Sequence, residues 1–539
     1  MTPVGSLAGA EPPASVVSAG RLGLYPARDF RLTDGTCADC GPIPSARWYF
    51  ERETIAVPNP GLPTAAFALG VTAFDDLRTW RATRAADAPP DYPPLVWVAA
   101  PQVIHRARLT ADAIAIGVGE TRVPIELVPK IPLNRSYFDA SSMRFFAGRT
   151  LSARGTMNAD GHFVVRTLWP DDFRLREAPP ARALPPGMSP ALALRQLMRE
   201  EPNGGAKSPF TAFELWRKPG AASDWRDRTV LAFIVNGAQG DDDEAHGGHF
   251  AIVTGRVADD GAIGDWLVNN FYTLDAESEK GILAAPVPLD DYQADLNSGQ
   301  SYYRPSYMLV AVLAHERAAS LVQSALGRVY NQFYRHQLVY YHPTDNCASI
   351  SVDTLRALGW DIPVRGPSSR VLAWAGFPFI AAKERSIAKA KLAFDYLHSD
   401  QTRLMPAAAL EEIFGGLLAL GDNADANAFA GGPLPRMLAQ DLEALAFLRI
   451  PQIPSSRAWG RAPAVTTWEY RTMVPSDPSQ AQIVPVPPRP FPDRLRDPDL
   501  LPTQRRPSDI AAIVWGVVSL VGIPWLLWRL VRRLRAKRA

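Results

Sequence analysis

The sequence predicts an α+β protein with a β-rich first part, a mixed second part and a C-terminal transmembrane helix. Three observations carry this. Short β-branched runs such as "PLVWVAA", "AIAIGV" and "VPIELV" crowd the first third, while long helical periodicities begin only after residue 315. Between them, "HFAIVTGR" and "WLVNNFY" read as two buried strands. Near the end, residues 510–528 form an uncharged apolar run of nineteen. At 539 residues and 47% hydrophobic content the chain exceeds one ordinary domain and can bury sizeable cores.

Residues 1–45 read as a flexible N-terminal segment that contains "TCADCGPIP". A redox motif needs a strand before its C-x-x-C and a helix after it, and a zinc site needs two further ligands. Cys37 and Cys40 therefore suit a local loop, one that a disulfide closes in an oxidising compartment. A small barrel or sandwich is expected over 46–180, with "RTLSARGTMNADGHFVVRTLWP" as two strands around an Asn-Ala-Asp-Gly turn. His162 there is a strand residue beside the turn.

A Pro- and Ala-rich stretch leads to a Cys/His domain at 205–375, followed by a helical segment at 376–450, in which "KERSIAKAKLAFDYLHSD" and "PRMLAQDLEALAFLRI" show helical spacing. Ten prolines between Pro475 and Pro507 make 451–508 an extended stalk. As a helix, the run at 510–528 spans about 29 Å, close to the roughly 30 Å of a bilayer core. Six basic residues fall in the last eleven positions, so 509–539 reads as a membrane span with a basic cytoplasmic tail and the body outside. No basic leader precedes an apolar run within residues 1–30, which conflicts with that placement. Removing the six basic residues takes the net charge from +2 to −4, and no basic stripe precedes residue 529, which argues against a nucleic-acid partner.

Chemistry concentrates in two stretches. If Asp260 and Gly261 sit at the centre of a tight turn, facing residues on the two strands number 521 in sum. His249 then lies opposite Tyr272, Asn270 shares its face diagonally, and Asn269 points the other way. In "PTDNCASISVDTLRALGW", residues 343–360, Ile350, Thr354, Leu355 and Leu358 keep helical spacing, Asp345 or Asn346 suits the cap, and Gly359 suits the stop. Cys347 falls in the first turn, where the helix N-terminal field and unpaired amides are expected to lower a thiol pKa and to hold an oxyanion.

Together, "HFAIVTG", "DWLVNNFY" and the Asn-Cys pair opening a helix resemble the His, Asn and Cys elements of papain-like cysteine hydrolases. Here the Cys follows the His by 98 positions, an order similar to circularly permuted relatives such as the lecithin:retinol acyltransferases and to bacterial envelope domains of lipoprotein N-acyl transfer. The resemblance covers about residues 205–365. It implies Cys347 as nucleophile, His249 as base and Asn270 as its orienting partner, with no cofactor and a lipid, lipoprotein or peptide acyl substrate. Where that family carries a Gln before its Cys, this chain has Tyr341. The second oxyanion donor is then the Tyr341 hydroxyl, Gln337 or a backbone amide, with Asn346 and His246 at the pocket edge.

Other readings stay open. A buried Cys347 without reactivity implies a non-catalytic envelope scaffold, and reversible oxidation of Cys37 and Cys40 implies a redox protein. The acidic run "DDDEAHGGH" reads as a solvated loop, so no metal site is expected. His315, His336, His342 and His398 form no pattern.

Overall fold

The computed structural model describes residues 16–18, 20–34, 46–51, 53–128, 138–200, 209–237, 247–274, 283–422, 432–455 and 529. The N-terminal elements are β1 (Val16–Ser18), β2 (Arg21–Leu22), β3 (Tyr25–Pro26), β4 (Phe30–Asp34), α1 (Ala46–Tyr49), β5 (Thr54–Pro58), α2 (Ala73–Thr83) and β6 (Val96–Ala99). Strands β4, β5 and β6 form a small sheet in that order. Leu22, Tyr25 and Phe30 are buried with Ala56, Val96, Val98 and Leu267, so 20–34 is folded rather than part of a flexible N-terminal segment. Apolar burial of a few large side chains is enough to order so short a stretch.

A barrel follows, built from β7 (Gln102–Leu109), β8 (Ala115–Val118), β9 (Thr121–Leu127), β10 (Leu151–Met157) and β11 (Phe163–Pro170), with α3 (Ala140–Phe146) between β9 and β10. The order β7-β10-β11-β9-β8 closes through a β7–β8 pairing, and β1 adds to β7. Only β9 and β11 pair in parallel. Closure removes the exposed edges that an open sheet of this size presents.

Helix α4 (Pro190–Arg199) leads into the strands β12 (Thr211–Arg217), β13 (Thr229–Asn236), β14 (His249–Arg256), β15 (Leu267–Asn270), β16 (Ala285–Pro288), β17 (Ser306–Leu313) and β18 (Leu442–Ile450). They form one antiparallel sheet, ordered β12-β18-β17-β13-β14-β15-β16. Helix α5 (Leu289–Ala294) follows β16, and α6 (Arg317–Tyr334) and α7 (Cys347–Ala357) follow β17. Then come α8 (Arg370–Glu384), α9 (Ile387–His398), α10 (Gln401–Leu404), α11 (Pro406–Asp422) and α12 (Pro433–Asp441). The segment expected to be helical over 376–450 thus ends in a strand. "LEALAFLRI" lies between β12 and β17 and all but Glu443 of it is buried, and an apolar run buried on both faces has no helical or strand period to separate the two.

The barrel and the large sheet share one apolar core, and a buried ionic seam joins them. Arg154 of β10 donates to Asp290 Oδ2 through Nε at 3.0 Å and Nη2 at 2.8 Å, and Arg166 of β11 donates to Asp295 at 2.5 Å. Residues 451–455 are also packed, with the Ile453 amide on the Ser301 carbonyl at 2.7 Å, so the expected stalk begins after them. The remainder of 451–508 lies outside the described residues.

The transmembrane helix expected over 510–528, and the single-pass placement that went with it, is not supported. Among the described residues no helix is long and apolar enough to cross a membrane, and the run itself lies outside them. The longest described helices are of another kind: α6 carries Arg317 and Arg328, and α11 carries Glu411, Glu412 and Asp422. Arg328 and Glu411 are bound in ion pairs, with Asp76 and Arg195 respectively.

Gly359 ends α7 at φ +91, and a Cβ there would sit 2.3 Å from the Gly432 Cα. Gly359→Ala is therefore expected to cost about 2 kcal/mol or more. A chemical-denaturation midpoint equal to that of the unsubstituted protein would show that the two backbones do not need this approach.

Candidate active site

The eight residues of β13 pair without a break to β14 on one side and β17 on the other. Asn236 consequently faces His249 on β14 and Ser306 on β17. Across β14 and β15 the pairs are Ile252 with Asn269, Val253 with Val268 and Thr254 with Leu267, each summing to the 521 that the turn residues predict. The connection is longer than a tight hairpin, because β14 ends at Arg256 and β15 begins at Leu267, but Gly261 still turns at φ +79.

This register places Asn270 diagonally across from His249 on the same face, with both side chains buried. His249 Nε2 lies 2.6 Å from Asn270 Oδ1. The Asn270 amide nitrogen donates to the Leu283 carbonyl at 2.9 Å, which turns its oxygen towards the imidazole. Nε2 therefore carries the proton, and Nδ1 is left as the basic nitrogen. Asn269, on the other face, pairs with Gln323 of α6.

Cys347 is the first residue of α7, with 5% of its surface exposed. Of the two expected candidates, Asp345 and Asn346, the cap is Asn346. Asn346 Oδ1 accepts the Ala348 and Ser349 amides at 2.9 Å each, and the Ser349 hydroxyl accepts the Asn346 amide at 2.7 Å. Asn346 Nδ2 donates to the carbonyls of His342 and Leu404. Asn346 is thus consumed as a structural cap rather than held at a pocket edge, and the Cys347 amide is left as the N-terminal donor of the helix.

The expected lowering of the thiol pKa does not occur. Burial pushes Cys347 above its ordinary value, although the Phe250 amide, the Arg304 charge, the Ala348 amide and the Tyr340 hydroxyl all favour the thiolate. Burial likewise brings His249 down from its ordinary 6.5 to about 3, with the Arg304 charge and His342 acting the same way and the Asn270 hydrogen bond opposing. Both groups rest neutral near pH 7. Among the described residues no hydrogen bond joins the Cys347 thiol to the His249 imidazole.

The other expected pocket residues divide. Tyr341 turns away, donating to Asp395 Oδ2 at 2.8 Å beside Lys391, and burial with that carboxylate lifts it to about 12. Its neighbour Tyr340 is the one that reaches the thiol. The Tyr341–Asp345 bridge folds the loop back on itself, so adjacent tyrosines point to different sides. Gln337 follows α6, with its Oε1 buried and unbonded. His246, Cys37 and Cys40 lie outside the described residues.

Three residues escaped the sequence reading: Tyr292, Arg304 and Tyr340. The Tyr292 ring lies 6.3 Å from His249 and its hydroxyl donates to Asn236 Oδ1. Arg304 is buried, donates to Gln300 Oε1 at 2.6 Å, and its charge acts on His249, Cys347 and Tyr292. No spacing rule connects either to Cys347; only the adjacent Tyr-Tyr of "VYYHP" hinted at Tyr340.

Two open cavities, of about 440 Å³ on the N-terminal strands and about 380 Å³ at the barrel seam, lie elsewhere. The second holds His105, Ser152 and Asp171, but the serine hydroxyl sits between the other two, so no imidazole links carboxylate to nucleophile. Among the described residues no cluster of His, Cys, Asp and Glu is arranged to hold a metal ion. No family model matches the chain, and neither a curated protein nor a solved structure matches it.

Two outcomes are expected. The folded-state value of His249 is depressed, so its contribution to stability is full above pH 6.5 and is lost as pH falls towards about 3. His249→Gln should flatten the fall in urea stability across that window, and parallel pH profiles would rule this source out. Asn346→Ala should destabilise by about 1–2 kcal/mol through loss of the cap; an unchanged midpoint would mean that the α7 terminus is held by other groups.

Proposed function

We propose that this chain is a cysteine hydrolase or acyltransferase that passes an acyl group through a thioester on Cys347. The observation that carries the reading is the buried His249–Asn270 hydrogen bond, with its tautomer fixed, on a strand whose next residue, Phe250, presents its amide to the thiol. Cys347 Sγ attacks an ester or amide carbonyl while His249 Nδ1 takes the thiol proton. The tetrahedral oxyanion is held by the Cys347 amide and the Tyr340 hydroxyl, within the field of Arg304. Collapse expels the alcohol or amine, which leaves with the proton from Nδ1. Water or an acceptor amine then attacks the thioester, with His249 again as base.

A thiol and an imidazole that are both neutral at rest suit proton transfer concerted with attack, rather than a standing ion pair. The rings of Tyr272, Tyr292 and Tyr340 around the site suit an apolar acyl group of lipid or lipopeptide type. One observation favours a second reading, a non-catalytic binding or scaffold protein: Cys347 is 5% exposed and its thiol is held protonated by burial.

Intact-mass analysis after exposure of the full chain to an acyl p-nitrophenyl ester separates the two. An acyl adduct on Cys347 is expected, formed roughly 100-fold more slowly in His249→Ala and lost in Cys347→Ser. An adduct that forms equally fast without His249 sinks the catalytic reading, and a thiol that never acylates in the folded protein leaves the scaffold.

A further inference from the structure

Helices α8 and α9 form a hairpin with a small core of its own, in which Ala373 and Phe377 meet Ala390 and Phe394. Outside that core the hairpin leaves apolar side chains in the open: Val371 is 78% exposed, Phe379 66% and Ile387 53%, with Leu372 and Leu392 also exposed. These are five of the twelve large apolar side chains exposed among the described residues, all within 22 positions of one helical hairpin, a local excess over the usual scatter. On α8, Val371, Ala375, Phe379 and Ala382 follow a single stripe, and on α9 the exposed apolar positions are Ile387, Ala388 and Leu392, beside Lys389.

Basic residues frame the patch. Across 370–395, Lys389 is paired with Glu384 and Lys391 with Asp395, while Arg370, Lys383 and Arg385 are exposed, so the stretch carries five basic residues against two acidic ones. An apolar stripe with a basic frame, on helices of 15 and 12 residues, has the make-up of an element that lies in the headgroup layer of a lipid surface without crossing it. A second copy of this chain would bring the same basic set face to face with itself, and the basic run after residue 528 would be repelled in the same way.

We infer that the α8–α9 hairpin is a docking surface for an anionic lipid surface. Its position gives this a consequence for the site. Asp395 of α9 accepts the Tyr341 hydroxyl at 2.8 Å, and the Tyr396 hydroxyl lies 2.8 Å from His342 Nδ1, so α9 is tied to the loop that leads into Cys347. A lipid surface against the hairpin therefore lies beside the loop carrying Tyr340. The inference stands on exposure and charge, and holds whether or not Cys347 is a nucleophile.

Hydrogen–deuterium exchange of the full chain tests it, with phosphatidylcholine vesicles and with vesicles containing about 30% phosphatidylglycerol. Added protection of peptides across 370–392 is expected with the anionic vesicles only, weakened by high salt, while peptides across 151–170 stay unchanged. Phe379→Glu combined with Ile387→Glu should cut that protection about tenfold or more. Three results overturn the inference: no change on adding vesicles, protection that rises with protein concentration alone and marks self-association, or protection already complete without lipid, which marks cover by another part of the chain.

Discussion

The break-free pairing of β13 with β14 and β17 is the constraint from which the rest of the site follows. All eight β13 residues are buried, and a slip of one residue would take Asn236 away from Ser306 and Tyr292 and leave buried polar groups unpaired, so these partners fix the register. That register lines up Ser306, Asn236 and His249 across three strands. The Asn236 amide donates to the Ser306 hydroxyl at 2.7 Å, and Tyr292 donates to the Asn236 oxygen, so Ser306, Asn236 and Tyr292 are hydrogen-bonded in series. His249 takes its place as the strand partner of Asn236 and is oriented by Asn270.

The electrostatics of Cys347 show two effects in competition. A helix N-terminus stabilises a negative charge by about 2 kcal/mol at most, and part of that is spent here because Asn346 already accepts two of the first amides. Full burial can raise an acid by about 3–5 pKa units, or roughly 4–7 kcal/mol. Burial prevails, as the direction of the Cys347 shift records. The same low-dielectric surroundings keep His249 neutral and able to accept a proton.

How much of this was legible follows from the kind of signal each residue leaves. His249 and Asn270 were readable because strand alternation and one turn fix a diagonal pair, and α7 because Asn346, the apolar spacing and Gly359 agree on its two ends. The strand at 442–450 was not, since burial on both faces erases the period that tells helix from strand. Arg304 and Tyr292 reach the thiol through tertiary folding and leave no local pattern. That Tyr340 rather than Tyr341 reaches the thiol was illegible for a simpler reason: neighbouring side chains on a bridged loop point to different sides, and the sequence does not say which side faces the thiol.

The seam between barrel and sheet connects the two halves to this chemistry. Helix α5 directs Asp290 and Asp291 at the barrel, where Arg154 binds the first and Thr167 donates to the second, while its next two residues face the polar row. Tyr292 reaches Asn236, and Gln293 accepts from Ser301 and Ser306. An uncompensated charge in that seam is costly, because removing one partner of a buried pair strands the other. The barrel therefore does more than cover the sheet. By holding α5 through Arg154 and Thr167, and Asp295 just beyond it through Arg166, it fixes the tyrosine and glutamine that keep Asn236 and Ser306 in line with His249.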